Sequence, residues 1–325
     1  MNRVGRGIRV GVVGTGRLGR EHARVYSAIG VAWLGVYDRD ATRAASVARE
    51  HGGEACPSLE ELLERCDAVS ICTPATHHTP AAKVAFDRGV HVLVEKPIAS
   101  NSAAARDMIG CAREHRCVLQ VGHIERFNGA FEAALTLLGE PRFIEAHRLA
   151  AFTLRGLDVS VVQDLMIHDI DLVLRVLRGD RVVDVRASGA GVITASPDIV
   201  NARIEFAGGC VANVTASRIS MEPLRKIRFF QENRYVSVDL RERSLDAFEK
   251  TGDFDSAGSG VDPLSLFRRI PVEVDGSEPL RKEIASFLDA VAGKVPPAVS
   301  GDEGLAALGV AERVLESIAG ARSEP

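Results

Sequence analysis

Apolar and polar positions change rhythm along this chain, and the change comes near residue 123. Before it, short buried-looking runs alternate with amphipathic stretches. Ile8 to Val13 is a β-branched run, Gly14 and Gly16 break it, and apolar residues then recur at helical spacing from Leu18 to Ile29. "VAWLGVYDRD" is apolar up to Asp38, and a helix is predicted over 41–51. "DAVSIC" at 67–72, "GVHVLVEKP" at 89–97 and "CVLQVGH" at 117–123 are further strands, with helices near 78–88 and 101–115 between them. Strands alternating with helices predict a doubly wound parallel sheet.

After residue 123 the pattern differs. Helices are predicted over 124–138 and 163–177, with a strand near 142–150 and an irregular segment 151–162 between them. From 182 onward "VVDVRAS", "VNARIEF", "CVANVTASR", "KIRFF" and "RYVSVDL" alternate as half-buried antiparallel strands do. The stretch 251–263 reads as a loop, and helices near 279–292 and 302–319 close the chain. The expected architecture is α/β: a parallel domain at 1–122, then an α+β domain at 123–325 with a large, mostly antiparallel sheet. No internal repeat interrupts this division.

With 325 residues, a hydrophobic fraction of 46% and a charged fraction of 26%, the chain has the composition of a globular protein with room for two cores. A net charge of -4 provides no field that would gather nucleic acid or an anionic membrane. The six cysteines form no C-x-x-C pair and read as reduced thiols. The apolar run after Arg3, Arg6 and Arg9 is short, which argues against a signal peptide, and no run is long enough to span a membrane. A cytoplasmic location is the expectation.

Three places carry candidate chemistry in the first half. Gly14, Gly16 and Gly19 complete G-x-G-x-x-G between a strand and a helix, with Arg17 and Leu18 inside it, so a pyrophosphate would meet unpaired N–H groups at a helix N-terminus. Asp38 follows Gly19 at the spacing of an acid that binds an adenosine ribose; its charge favours NAD over NADP, while Arg39 beside it could meet a 2′-phosphate. A plainer reading makes Asp38 the turn residue that opens helix 41–51. This is a Rossmann-type domain, and its ligands would bind beyond the carboxyl ends of the strands, where "TPATHH" (73–78), "EKP" (95–97) and "GHIERFN" (122–128) fall. Lys96 could there hydrogen-bond a substrate hydroxyl, or stand as a solvated loop lysine.

"VVQDLMIHDIDLVLRVL" (161–177) is an apolar helix with four ionisable groups. At about 100° per residue, Asp164, His168 and Asp171 fall within roughly 60° of one another, and Asp169 points about 140° from Asp164. A carboxylate one turn from an imidazole can orient it as a general base. Asp164 as an N-cap and His168 as a core histidine are the bland alternatives, and a metal site is a third. No H-E-x-x-H or cysteine pair supports a metal, and none is expected.

In that order, the glycine fingerprint, "EKP", "GHIERFN" and "DLMIHDID" resemble the Gfo/Idh/MocA oxidoreductase family over nearly the whole chain, including the tail "EPLRKEIASFLDAV". "EHARVY", "VGHIERFN" and "DLMIHDID" are similar to its sugar-nucleotide branch, the UDP-N-acetylglucosamine 3-dehydrogenases. The resemblance implies a catalytic lysine at Lys96 and a D-x-x-x-H pair at Asp164 and His168. It implies cofactor residues at Gly14, Gly16, Gly19, Asp38, Thr73, Pro74 and His78, and Arg39 and Glu95 join them as candidates. The substrate implied is a sugar nucleotide, oxidised at its 3-hydroxyl with NAD. Arg126, Asn128, Arg148 and Arg155 are the candidates for its diphosphate or sugar, because guanidinium forks suit phosphate oxygens. His22 matches a family position that packing explains, and Asp171 would support the helix. The family associates through the open face of its second sheet, which implies a homodimer or homotetramer.

Two positions depart from the pattern. Val161, Val162 and Gln163 stand where many members carry a glycine pair, which weakens inositols and free sugars as substrates. Gly129 replaces a proline after R-F-N, which would loosen a helix start. Two rival functions remain: an NADP-dependent reductase of a keto sugar or imine, and a catalytically silent dinucleotide sensor.

Overall fold

The computed structural model describes residues 7–153, 159–252 and 263–321. It divides into two compact units. The first runs to Ile124 and takes back Glu278–Gly309; the second holds Glu125–Ser277 and the chain from Val310.

In the first unit the predicted strands and helices alternate. They are β1 (Arg9–Val13), α1 (Arg17–Ile29), β2 (Trp33–Tyr37), α2 (Ala41–His51), β3 (Glu54–Ala55), α3 (Leu59–Arg65), β4 (Ala68–Ile71), α4 (His78–Phe86), β5 (His91–Glu95), α5 (Ser102–Glu114) and β6 (Leu119–Gly122). The sheet is parallel, in the order β3-β2-β1-β4-β5-β6, and its central strands are buried on both faces. Side chains at the helix starts take up N–H groups that would otherwise lack partners: Asp40 caps α2, Ser58 caps α3 and Asn101 caps α5. The pair β3 and α3 escaped the sequence reading.

The second unit contains α6 (Gly129–Leu135), β7 (Phe143–Leu149), α7 (Ile167–Val176), β8 (Val182–Ala190), β9 (Ile199–Phe206), β10 (Val211–Ser217), β11 (Leu224–Phe230), β12 (Arg234–Asp239), β13 (Ser244–Lys250) and β14 (Phe267–Ile270). Its eight strands lie in the order β14-β13-β12-β11-β7-β10-β9-β8, antiparallel except where β7 runs beside β10. Alternate residues of β7, β9 and β10 are buried, as the period of two required. Phe143, Phe230, Tyr235 and Phe248 face one another across four strands, with successive ring centroids 5.8, 5.2 and 6.3 Å apart. Phe230 is 37% exposed, so this row lies on the open face. The predicted loop at 251–263 falls mostly outside the described residues.

Two expectations need correction. The sequence placed everything after 122 in one domain, but α8 (Pro279–Val291) returns to the first unit, where Leu280, Ile284, Phe287 and Leu288 share a core with Val10, Val12, Tyr26 and Val36. The last helix, α9 (Gly301–Ala321), is divided between the units at Gly309. Gly129 does not loosen α6: a Cβ there would lie 2.0 Å from the Asp275 carbonyl oxygen, so close packing demands glycine. Among the described residues no helix is long and apolar enough to cross a membrane.

Candidate active site

Each glycine of the fingerprint has a separate physical reason. Gly14 takes φ of 86°, a conformation that strains other residues, and its Cβ would lie 3.0 Å from the Cys72 carbonyl group. At Gly19 a Cβ would fall 1.8 Å from the Gly14 carbonyl oxygen, so α1 can pack on the turn only without a side chain there. Gly16 faces open space and starts α1 with no side-chain cap, and Arg17 and Leu18 follow it on the surface. Bare N–H groups at a helix start suit a pyrophosphate.

Asp38 sits just past β2 and is held rigidly. It accepts hydrogen bonds from the Thr15 N–H (2.7 Å), the Thr15 hydroxyl (3.0 Å) and the Asp40 N–H (2.9 Å). Partial burial opposes its ionisation, but these donors and Arg43 at 3.7 Å hold the carboxyl below the usual carboxylate range. Asp40, not Asp38, opens α2, so the turn-residue reading falls to its neighbour. Arg39 is exposed.

Two of the residues expected to meet the cofactor are turned inward. His78 is buried, with Nδ1 3.0 Å from the Pro97 carbonyl and Nε2 2.8 Å from the Thr73 carbonyl; burial lowers its pKa. It ties the Thr73–Pro74 loop to the Lys96–Pro97 turn, where the peptide bond is cis. Thr73 Oγ1 is buried without a hydrogen-bond partner among the described residues, and Pro74 is exposed. Glu95 closes β5 with its carboxylate inside the unit, 3.0 Å from His22 Nε2, while its second oxygen accepts the Lys96 N–H at 3.2 Å. His22, which packing alone was thought to explain, is the residue sequence reasoning missed. A buried strand ending in glutamate signals that some neighbouring helix must provide a partner. Lys96 itself is half-buried at the strand end.

Glu283 on α8 lies in the same interior, 0% exposed, and neither carboxyl oxygen has a hydrogen-bond partner among the described residues. Burial, and then the charge of Glu95, push its pKa well above the ordinary 4.5. Between that value and the folded one the folded state keeps a proton that the unfolded chain releases, so stability falls as pH rises through this window. Glu283→Gln removes the titration. The difference in melting temperature between this variant and the wild type should therefore grow in the variant's favour from about pH 5 to about pH 8, with up to about 1.4 kcal/mol per pH unit in play. A difference that does not change with pH would contradict a buried neutral acid.

In the second unit the four ionisable groups of 161–177 divide in a way the helical angles did not foresee. Val162–Met166 is a π-helical turn ahead of α7, so counting at 100° per residue fails across it. Asp164 and His168 are each half-buried, whereas Asp169 and Asp171 are each 1% exposed. Asp171 therefore leaves the predicted stripe: it receives Arg126 Nε at 2.8 Å and Nη2 at 2.6 Å. Asp169, which the sequence left without a role, receives Arg148 Nε and Nη2, both at 2.9 Å, while Arg148 Nη1 reaches Glu125 at 2.9 Å. Burial disfavours the Arg148 cation, but Asp169 and Glu125 outweigh it and raise its pKa.

These pairs revise the expected phosphate ligands. Arg126 and Arg148 are buried counter-ions of aspartates, because an apolar helix carrying carboxylates needs internal cations. Asn128 is 2% exposed; its Oδ1 caps α6, and its amide donates to the Leu240 carbonyl at 2.9 Å and to Glu125 at 3.2 Å. Arg155 lies outside the described residues.

Comparison with known proteins agrees with this anatomy. A family model described as "Oxidoreductase family, NAD-binding Rossmann fold" matches residues 8–123. A UDP-N-acetylglucosamine 3-dehydrogenase from Acidithiobacillus ferrooxidans is 41% identical over 309 residues, which cover 94% of this chain and 96% of that protein. A solved structure of that enzyme superposes with a TM-score of 0.90 at 40% identity, covering 98% of this chain and 99% of its own. An inositol 2-dehydrogenase from Rhizobium meliloti is 27% identical over 342 residues, 96% of this chain and 97% of that one.

Proposed function

The chain belongs to the Gfo/Idh/MocA family of oxidoreductases, with a nicotinamide dinucleotide as its cofactor, and from that premise we propose that it oxidises the 3-hydroxyl of UDP-N-acetylglucosamine with NAD, leaving the 3-keto sugar nucleotide. When bound, the dinucleotide accepts a hydride at C4 of its nicotinamide. The chain supplies the proton chemistry. His168 takes the hydroxyl proton, Asp164, four residues earlier, orients the imidazole, and Lys96 holds the same oxygen by a hydrogen bond.

The observation that carries this reading is the division on 161–177. Two of its four ionisable groups are internal partners of arginine, and the other two, Asp164 and His168, are each half-buried and make up a D-x-x-x-H pair. The choice of sugar nucleotide rests on likeness to the Acidithiobacillus enzyme. NAD is favoured because the Asp38 carboxylate, fixed by Thr15 and Asp40, would accept the ribose hydroxyls and repel a 2′-phosphate. The open aromatic face of the second sheet borders a groove of about 660 Å³ lined in part by Phe230, Tyr235, Phe248 and Phe267, and would pair two copies as a homodimer or within a homotetramer.

The direct test is NADH formation with a panel of UDP-sugars and free sugars. Turnover with UDP-N-acetylglucosamine is expected. Turnover only with an unactivated sugar would overturn the substrate, and turnover with no sugar at all would favour a silent sensor. Fluorescence titration should show NADH binding more tightly than NADPH; the reverse order would point to the reductase instead.

A further inference from the structure

His22 and Glu95 belong to a longer chain of polar groups inside the first unit. Tyr26 and His22, both on α1, meet Ser70 of β4: the Tyr26 hydroxyl is 2.8 Å from Ser70 Oγ, which is 3.0 Å from His22 Nδ1. His22 Nε2 is 3.0 Å from Glu95 Oε1 at the end of β5, and Glu95 Oε2 accepts the Lys96 N–H. One proton arrangement satisfies every atom. The phenol donates to the serine, the serine to Nδ1, Nε2–H to the carboxylate, and the last oxygen takes the lysine amide. All of these side chains are buried, so each bond replaces water that cannot reach them.

The surroundings keep the negative charge on Glu95. Burial opposes its ionisation, yet His22 and Lys96 outweigh this and hold the carboxyl below its ordinary range. The second buried acid, Glu283, is pushed the other way, toward its protonated form, by burial and by the charge of Glu95. The Cys72 thiol, within 4.8 Å of the His22 and Glu95 atoms, is raised well above its usual range by burial and by Glu95, so it is a neutral wall of the chamber and not a thiolate ligand.

We propose that His22 and Glu95 are positioning residues for Lys96. Through them α1, whose N-terminus carries the glycine fingerprint, fixes the main chain from which the catalytic lysine projects. The link runs from the helix that would hold the pyrophosphate to the residue that would hold the substrate oxygen, across three adjacent elements. It rests on the functional reading above for its effect on turnover, but not for its geometry.

Two substitutions of one residue separate the bond from the ring. The amide nitrogen of glutamine can stand where Nε2 stands and keep the donor to Glu95, whereas asparagine reaches only the Nδ1 position. His22→Asn should lower kcat by about 100-fold, the cost of a small misplacement of a reacting group, with the Kd for NADH within about threefold of wild type. His22→Gln should recover most of that loss. Glu95→Gln, which keeps shape and loses charge, should fall with His22→Asn and serves where that variant does not fold. Hydrogen exchange at the Lys96 amide, read by mass spectrometry without any substrate, should quicken about tenfold in His22→Asn and not in His22→Gln. Equal losses in both His22 variants, or unchanged kcat and exchange in His22→Asn and Glu95→Gln, would overturn the proposal. Absence of turnover in the wild type would instead defeat the functional reading, and the exchange comparison would still decide this one.

Discussion

Replacing Arg148 by methionine should destabilise the protein by about 3–5 kcal/mol, because it strands two carboxylates in the interior of the second unit. The Arg148 side chain is 3% exposed, and its partners Asp169 and Glu125 are 2% and 11% exposed. Methionine fills much of the same volume, so the loss comes from charge and hydrogen bonds and not from a cavity. The guanidinium makes three bonds of 2.9 Å, two of them a parallel fork onto Asp169, and water has no access to take them over. Lysine at this position keeps the charge but cannot form the fork, and should fall between methionine and wild type. Adding Asp169→Asn and Glu125→Gln to the methionine variant should restore part of the loss, since a neutral site no longer holds unpaired charge. Urea unfolding checks this through the shift in midpoint at unchanged slope. A shift worth under about 1 kcal/mol, the scale of a surface pair, would mean that the triad is far better solvated than its burial implies.

That triad also marks where sequence reasoning stopped. Periodicity located 161–177 as a helix and showed that its four charges needed an explanation, but it could not say which charges had partners. The partner of Asp169 comes from β7 and that of Asp171 from just after β6, contacts made by folding and absent from local spacing. The π-helical turn at Val162–Met166 then altered the angles on which the predicted stripe relied. The parallel sheet was legible for the opposite reason: strands buried on both faces leave unbroken apolar runs, and Gly19 of its first turn is demanded by the Gly14 carbonyl only five residues away. Helix α8 was predicted near 279–292, yet its pattern does not name the core that receives it. Glu95 shows the same limit from the side of the site. Its place at a strand end read as cofactor binding, whereas His22, on a helix much earlier in the chain, draws its carboxylate inward.

Replacing His168 by asparagine should lower kcat by about 100-fold to 10,000-fold, the span expected when a general base is lost, while the Kd for NADH stays near wild type. The reasoning rests on what the neighbouring acids do. Asp169 and Asp171 are occupied by Arg148 and Arg126, so they hold the helix in place and are poor substitutes as base. Asp164, half-buried like His168, is placed one turn from an imidazole that it can orient, and imidazole is the side chain suited to proton exchange near neutral pH. Asparagine keeps the size and polarity of the site and cannot accept the proton. Lys96→Met should give a loss of similar size by removing the group that holds the oxygen. If the two residues act on one hydroxyl, the double variant should lose much less than the product of the single losses, because residues that work as a unit are not additive. Multiplicative losses would separate Lys96 from His168 in the mechanism. A His168→Asn variant that turns over within about threefold of wild type would remove the histidine from the proton transfer altogether. In that outcome the proton must leave by Lys96, and the pH dependence of kcat/KM, unchanged in His168→Asn and lost in Lys96→Met, would say so.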